Sequence, residues 1–153
     1  MADWVETFKG AILVSEYDSE THMNSQIYVS RFDQATWFLL HSIDVTPATV
    51  KRQGRRIAIV RQTYQFLKEL RGGELVVVKS GFVAVGSKYL RFVHQMFDTV
   101  TQRLVATSDC TAVQASLKSG RTVALPAALK SKAEAHLVAA NVGDGVEGQM
   151  AAG

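Results

Sequence analysis

One long helix constrains what this chain can fold into. From about Asn24 to Ile43, Tyr28, Phe32, Ala35 and Leu39 recur at three- and four-residue spacing, the stripe of a helix face. Within that stretch, Ala35-Thr36-Trp37-Phe38-Leu39-Leu40 is apolar nearly all round. A helix of this kind is expected to be buried on most sides. Asn24 suits the N-cap, where a side-chain oxygen accepts from the open N–H groups of the first turn. Pro47 forbids continuation of the helix beyond that point.

The remaining segments read mostly as strands. Phe8 to Tyr17 alternates in part, with Phe8, Gly10, Ile12 and Val14 on one side. Asp18-Ser19-Glu20-Thr21 is a polar loop between that strand and the helix. Ile57–Leu70 is rich in β-branched and aromatic residues, and Arg71-Gly72-Gly73 marks a turn. Glu74–Val85 contains Leu75-Val76-Val77-Val78, a strand covered on both faces. Lys88–Phe97 sets Leu90, Phe92 and Met96 against Arg91 and Gln95, and Arg103–Leu117 is the last strand. Pro126 opens a short helix. Short turns between strands imply antiparallel neighbours. The expectation is an α+β chain: a five-stranded antiparallel sheet wrapped around one long central helix, the layout of a hot-dog fold. A single domain over 1–136 is expected, with a glycine-rich, disordered tail over 137–153.

Composition narrows the function classes. An apolar share of 47% with 20% charged residues excludes disorder of the whole chain. No apolar run approaches the ~20 residues of a membrane span. Met1 to Glu6 lacks the basic and apolar regions of a signal peptide, so a cytoplasmic location is expected. The single cysteine, Cys110, makes neither an internal disulfide nor a zinc cluster and is expected to pack as a small apolar residue; no metal is expected. The net charge of +3 gives no case for nucleic acid. Charge is nevertheless segregated. Residues 1–50 hold seven acids and two bases, and Lys51, Arg52, Arg55, Arg56 and Arg61 follow with no acid among them. That run reads either as a solvated loop or as a landing site for a phosphorylated ligand.

The segment that carries chemistry is Tyr17-Asp18-Ser19-Glu20-Thr21-His22-Met23-Asn24-Ser25-Gln26-Ile27-Tyr28, followed by Phe32-Asp33. It resembles the hot-dog acyl-CoA thioesterases of the 4-hydroxybenzoyl-CoA thioesterase type. In those, an aspartate ends the first strand, His-x-Asn starts the helix, and a tyrosine and an acid follow. Asp18, His22, Asn24, Tyr28 and Asp33 match that spacing; Thr21 stands where the family usually has glycine. Gly86-Ser87-Lys88 and Gly120-Arg121 with Leu125-Pro126 fit as well, so the resemblance runs from Phe8 to Lys132. Arg31 to Thr36 with Leu39, and Lys88 to His94, look like thioesterase segments of carnitine and betaine breakdown, which implies betainyl-CoA as one candidate substrate.

Thioester hydrolysis needs a group that activates water or attacks the carbonyl, and donors for the oxyanion. Asp18 lies where a carboxylate serves as general base or nucleophile. The open N–H groups at the helix start, near His22 to Asn24, form an oxyanion site at the positive end of the dipole. Asn24 is a water or carbonyl contact, a plain N-cap, or both. His22 steadies the loop or donates. Met23, Tyr28, Ser87 and Lys88 are candidate substrate contacts, although a tyrosine placed like Tyr28 is more often a core-packing residue. Arg55 and Arg56 are a second candidate for phosphates. Trp37, Tyr64 and Tyr89 either pack in the core or line an acyl or trimethylammonium pocket. Asp33 reads as a buried acid or as the partner of a base across a dimer, and is the alternative catalytic carboxylate. His94 reads as a satisfied structural histidine.

The resemblance implies an acyl-CoA substrate, no separate cofactor because CoA is part of that substrate, and a homodimer or homotetramer with its groove at a subunit interface. Nucleic-acid and membrane partners are not expected. A non-catalytic acyl-CoA-binding module and a hot-dog enoyl-CoA hydratase are the rivals, although the hydratase motif Gly-Asp-x-Asn-Pro-x-His is missing. Gly-x-Ser-x-Gly and phosphate-loop motifs are missing too.

Overall fold

In a computed structural model of the chain, residues 4–13 and 25–139 are described. Five strands, β1 (Val5–Ala11), β2 (Arg55–Phe66), β3 (Leu75–Val85), β4 (Tyr89–Asp98) and β5 (Leu104–Ser116), form one sheet in the order β1-β3-β4-β5-β2. Every neighbouring pair is antiparallel. The helix α1 (Ser25–Ser42) packs on one face of the sheet. Strand alternation decides which side chains meet it: Leu90, Phe92, His94 and Met96 of β4 are buried, and Arg91 between them is exposed. Tyr28, Phe32 and Ala35 fill one half of the core with Val76, Val78 and Met96. Leu39, Leu40 and Ile43 fill the other half with Phe82, Leu90 and Phe92.

This is the expected α+β hot-dog arrangement, with three differences. α1 already ends at Ser42, where Asp44 turns left-handed at φ 66° and the Val45 amide donates back to the Leu40 carbonyl, and Pro47 opens a second helix, α2 (Pro47–Gln53). The reason is local. Proline is pre-set for the first helical turn, and Thr46 and Thr49 form a capping box in which each side chain accepts from the other's backbone N–H, at 3.2 and 2.8 Å. Lys51 and Arg52 therefore lie in a helical last turn, and Gly54 closes it in the left-handed conformation, φ 68°.

The second difference is α1's exposure. Trp37 and Phe38 are 52% and 61% exposed in the single chain, because the sheet reaches only the opposite face of the helix. Asp33 shares the open side, so it is not a buried acid.

The third concerns boundaries. β2 starts two residues before Ile57 and stops at Phe66, opposite Ala106, where regular pairing gives way to Leu67 and Lys68 both donating to the Val105 carbonyl. β1 starts at Val5 and ends at Ala11; the expected continuation over 14–17 lies outside the described residues. The third helix, α3 (Ala127–Glu134), follows Pro126 as expected. Beyond it, Leu137 bridges Phe82, and Val138 donates to the Phe82 carbonyl at 2.9 Å. The chain thus still pairs with β3 past residue 136; the expected tail over 140–153 lies outside the described residues.

Candidate active site

Asp18, His22, Met23 and Asn24, the centre of the expected site, lie outside the described residues. What is described is the ground they join. Ser25 opens α1, whose first N–H groups have no partner within the helix. One turn on, Tyr28 is buried and its hydroxyl donates to the Lys68 carbonyl at 2.7 Å. Its ring leans on Phe66 with centroids 5.1 Å apart. Burial raises the pKa of the Tyr28 hydroxyl; the Leu70 backbone opposes that, and Glu69 and Glu74 add to it. Tyr28 is accordingly a proton-bearing donor. Beside it opens a cavity of about 350 Å³ lined by Ser25, Tyr28, Phe66, Leu67, Lys68 and Glu69. That volume is within the range of small-ligand pockets.

Ser87 and Lys88 lie elsewhere. They form the β3–β4 turn, exposed at the sheet end where α1 finishes. The Ser87 carbonyl accepts from Leu125 and the Lys88 carbonyl from Gln114, so the turn's backbone is fixed while both side chains face solvent. Within one chain these two residues and Tyr28 are separated by roughly the length of α1, about 27 Å for its 18 residues. Arg55 and Arg56 open β2 at the same far end.

The three candidate aromatic residues do not converge in one chain. Trp37 is on the open side of α1, Tyr89 is exposed at the start of β4, and Tyr64 faces inward on β2 opposite Ser108. Tyr64 stacks on Phe66 at 6.2 Å and 7°. Cys110 is buried, and burial pushes its thiol pKa up while Ser108 and Gln62 oppose the shift. That is the opposite of what an activated thiolate needs.

A polar row crosses the core that sequence reading missed. Ser80, His94 and Ser108 stand opposite one another on β3, β4 and β5. His94 Nδ1 contacts Ser80 Oγ, and His94 Nε2 lies 2.9 Å from Thr36 Oγ1 of α1. Thr7 Oγ1 is 2.7 Å from Ser80 Oγ. Period-two alternation does place Ser80 and His94 on the inward face; what it lacks is the strand register that sets them side by side. A serine beside a histidine is also the pair that activates a nucleophile. Here both are fully buried between two apolar clusters, out of reach of substrate. Burial holds the His94 pKa down at about 3, so the ring is neutral. Among the described residues no group of three or more His, Cys, Asp or Glu is placed to hold a metal.

Known proteins give this geometry its context. An acyl-acyl carrier protein thioesterase of Arabidopsis thaliana, a chloroplast protein, is 28% identical over 117 residues, which are 76% of this chain and 61% of that protein. The chain thus spans about three fifths of the length of the curated relative it matches. A hypothetical protein from Staphylococcus aureus, solved in complex with CoA, superposes with a TM-score of 0.80 at 14% identity, covering 84% of this chain and 81% of its own. A 1,4-dihydroxy-2-naphthoyl-CoA thioesterase from Synechocystis superposes at 0.73 and 12% identity, covering 83% and 93%. At those identities the structural likeness establishes the hot-dog fold. Residues 12–133 match the sequence pattern described as the Thioesterase-like superfamily, a span from the end of β1 to the last turn of α3, and the chain belongs to that family.

Proposed function

We propose that the protein hydrolyses an acyl-CoA thioester to free acid and CoA. The observation that carries this reading is the family match across 12–133, which includes the Asp18…His22-x-Asn24 set and the cavity at the start of α1. Asp18 is the general base or nucleophile. The first free amides of the helix take the developing oxyanion, where one donor is typically worth a factor of about 100–1,000 in rate. Asn24 and His22 orient water or the carbonyl, and Met23 and Tyr28 border the acyl arm. The CoA-bound neighbour from Staphylococcus aureus supports CoA as carrier. No helix among the described residues is long and apolar enough to cross a membrane.

The reading includes a second copy of the chain. β2 is an edge strand of 12 residues with Val60 60% exposed, an open template for strand pairing. Antiparallel pairing of two β2 strands about a two-fold axis lays the far end of one sheet beside the α1 start of the other. Arg55, Arg56 and Lys88 of the second copy then come toward the mouth of the cavity, where CoA phosphates need them. Such pairing explains why the candidate contacts sit at opposite ends of one chain.

The test is thiol release from a panel of short, aryl, long-chain and trimethylammonium acyl-CoAs. At least one is expected to be turned over well above background, with Asp18→Asn lowering kcat by a factor of about 100 or more. Turnover unaffected by Asp18→Asn removes the catalytic assignment. Tight acyl-CoA retention without turnover replaces the hydrolase by a binding module.

A further inference from the structure

Arg61, Thr63, Arg91, Asp109 and Thr111 line a cavity of about 380 Å³ on the face of the sheet turned away from α1. That volume is within the range of small-ligand pockets. None of the five is apolar, and none belongs to the site expected around the start of α1. Three neighbouring strands carry them. Arg61 of β2 and Arg91 of β4 both stand opposite Thr111 of β5, one on each side, and Thr63 stands opposite Asp109.

An irregularity in β2 aims Arg61 at this cavity. Strict alternation would put Arg61 on the same face as Ile57 and Ile59, which pack against the core. The register shift between Ile59 and Arg61 adds Val60 as an extra residue, so Arg61 emerges opposite Thr111 on the outer face. Bulges of this kind re-aim a side chain and are common beside functional sites. Arg61 is thereby set apart from the bases at the start of β2 and joined to Arg91 across a single strand.

Arg91 is held in place. Its Nε donates to Asp109 Oδ1 at 3.0 Å, and a terminal nitrogen of the guanidinium donates to Oδ2 at 2.5 Å. The two side chains are 46% and 31% exposed, so the pair adds little to stability; its effect is to fix one guanidinium over the cavity. The same pair occupies both oxygens of Asp109, and no other acid among the described residues lines the cavity. The side chains of Arg61, Thr63 and Thr111 make no hydrogen bond or ion pair among the described residues, so their donors are open. Two guanidinium groups, two hydroxyls and one spent carboxylate form a donor set for an oxyanion. Phosphate fits it better than carboxylate. Arg61 can take two phosphate oxygens side by side and leave the third for a threonine, whereas a carboxylate is exhausted by the arginine alone.

We propose that this outer-face cavity binds the phosphate group of a small phosphorylated metabolite, with Arg61 as its main contact and Arg91, Thr63 and Thr111 completing the site. The site is separate from the cavity beside Tyr28 and stands independently of the hydrolase reading. Its side chains leave the sheet perpendicular to the strands, so pairing of the β2 edge with a second copy does not use them.

The experiment is isothermal titration of the full chain at pH 8 and fixed ionic strength, with inorganic phosphate, glucose 6-phosphate and acetate as probes. Phosphate is expected to bind saturably, glucose 6-phosphate at least as tightly because the cavity has room beyond the phosphate, and acetate about fivefold more weakly or worse. Arg61→Gln is expected to weaken phosphate binding about tenfold or more. Thr63→Val/Thr111→Val keeps the β-branched shape, is expected to weaken it about threefold, and serves if loss of the arginine disturbs the edge strand. Lys118→Gln/Arg121→Gln removes more charge elsewhere and is expected to leave the affinity within about twofold. Amide NMR shifts on phosphate addition should centre on Thr63, Asp109 and Thr111. The proposal is overturned by an absence of saturable binding, by glucose 6-phosphate binding more weakly than free phosphate, or by an affinity indifferent to Arg61→Gln. Equal losses in Lys118→Gln/Arg121→Gln, shifts centred on Arg55 and Arg56, or displacement of the phosphate by CoA overturn it as well.

Discussion

Ser80 and His94 stand directly opposite each other on β3 and β4, and Ser80 Oγ lies 2.5 Å from His94 Nδ1. The bond at the Thr36 end orients the row. Thr36 donates to the Phe32 carbonyl at 3.0 Å, so its oxygen is left to accept from His94 Nε2–H at 2.9 Å. Nδ1 is then the acceptor, Ser80 donates to it, and Thr7 directs its one proton to Ser80 at 2.7 Å rather than to the Val78 carbonyl at 3.3 Å. A hydroxyl and an imidazole each supply one donor here, and the chain uses all four without remainder. It ties β1, β3 and β4 to the middle of α1. Phe32 stacks on the ring at 5.8 Å and Phe92 meets it edge-on at 5.5 Å.

The first prediction concerns pH. His94 has a pKa near 6.5 in the unfolded chain and about 3 in the folded one. Between those values the unfolded chain binds a proton that the folded chain refuses. The stabilising contribution is complete above pH 6.5 and declines as the pH falls, by about 1.4 kcal/mol per pH unit in the middle of that window. Urea melts from pH 7 to pH 4 on wild type and His94→Gln measure it as the difference between the two slopes. Nitrogen NMR of the ring should show a proton on Nε2 and no titration between pH 5 and pH 8. A ring that titrates near 6.5 contradicts the arrangement.

The second separates scaffold from chemistry. Ser80→Ala leaves the Nδ1 acceptor buried without a donor, and a loss of about 1–3 kcal/mol is expected. If the row only holds the fold, kcat survives in the folded variant. A variant with wild-type melting behaviour and abolished turnover would instead make Ser80 and His94 catalytic.

The third tests the element that sequence reading passed over. Thr46→Ala removes the acceptor of the Thr49 amide, a change worth about 1 kcal/mol at a helix N-cap. Thr49→Val removes the reciprocal acceptor of the Thr46 amide. The two losses should be non-additive, because each bond depends on the other's geometry. Chemical melts of both single variants and the double variant measure the coupling; simple additivity counts against the capping box.

What could be read in the sequence follows from what local pattern encodes. The α1 stripe and the strand alternation of β3, β4 and β5 are period signals, and their elements appear within a few residues of the expected limits. α2 is hidden because a seven-residue helix is too short for its period to stand out, and Pro47 by itself signals only a stop. Trp37 and Phe38 misled because an apolar side chain does not state whether a sheet or a second subunit covers it. The row around His94 depends on register between strands distant in sequence, and no local pattern carries that. The resemblance places its motif on Asp18, His22 and Asn24, which lie outside the described residues, so the structure shows only the surroundings of that segment.

The last prediction concerns Gly81, where the chain after α3 crosses the outer side of β3. A Cβ built at Gly81 would fall 2.3 Å from Val138 Cγ1, far inside contact distance. Val138 has little room to retreat, because its amide donates to the Phe82 carbonyl at 2.9 Å and the Phe82 amide donates to the His136 carbonyl at 3.0 Å. Valine is also stiff about its one side-chain torsion. Gly81→Ala should therefore lift the 136–138 segment off the strand and cost about 1–3 kcal/mol. A chain ending at residue 135 lacks the obstacle. In that background Gly81→Ala should be neutral or slightly stabilising, since alanine restricts the unfolded chain more than glycine does. Thermal melts of the four proteins form a closed cycle. A penalty that persists after truncation would mean that the glycine answers to something within the strand, and that the crossing segment merely lies over it.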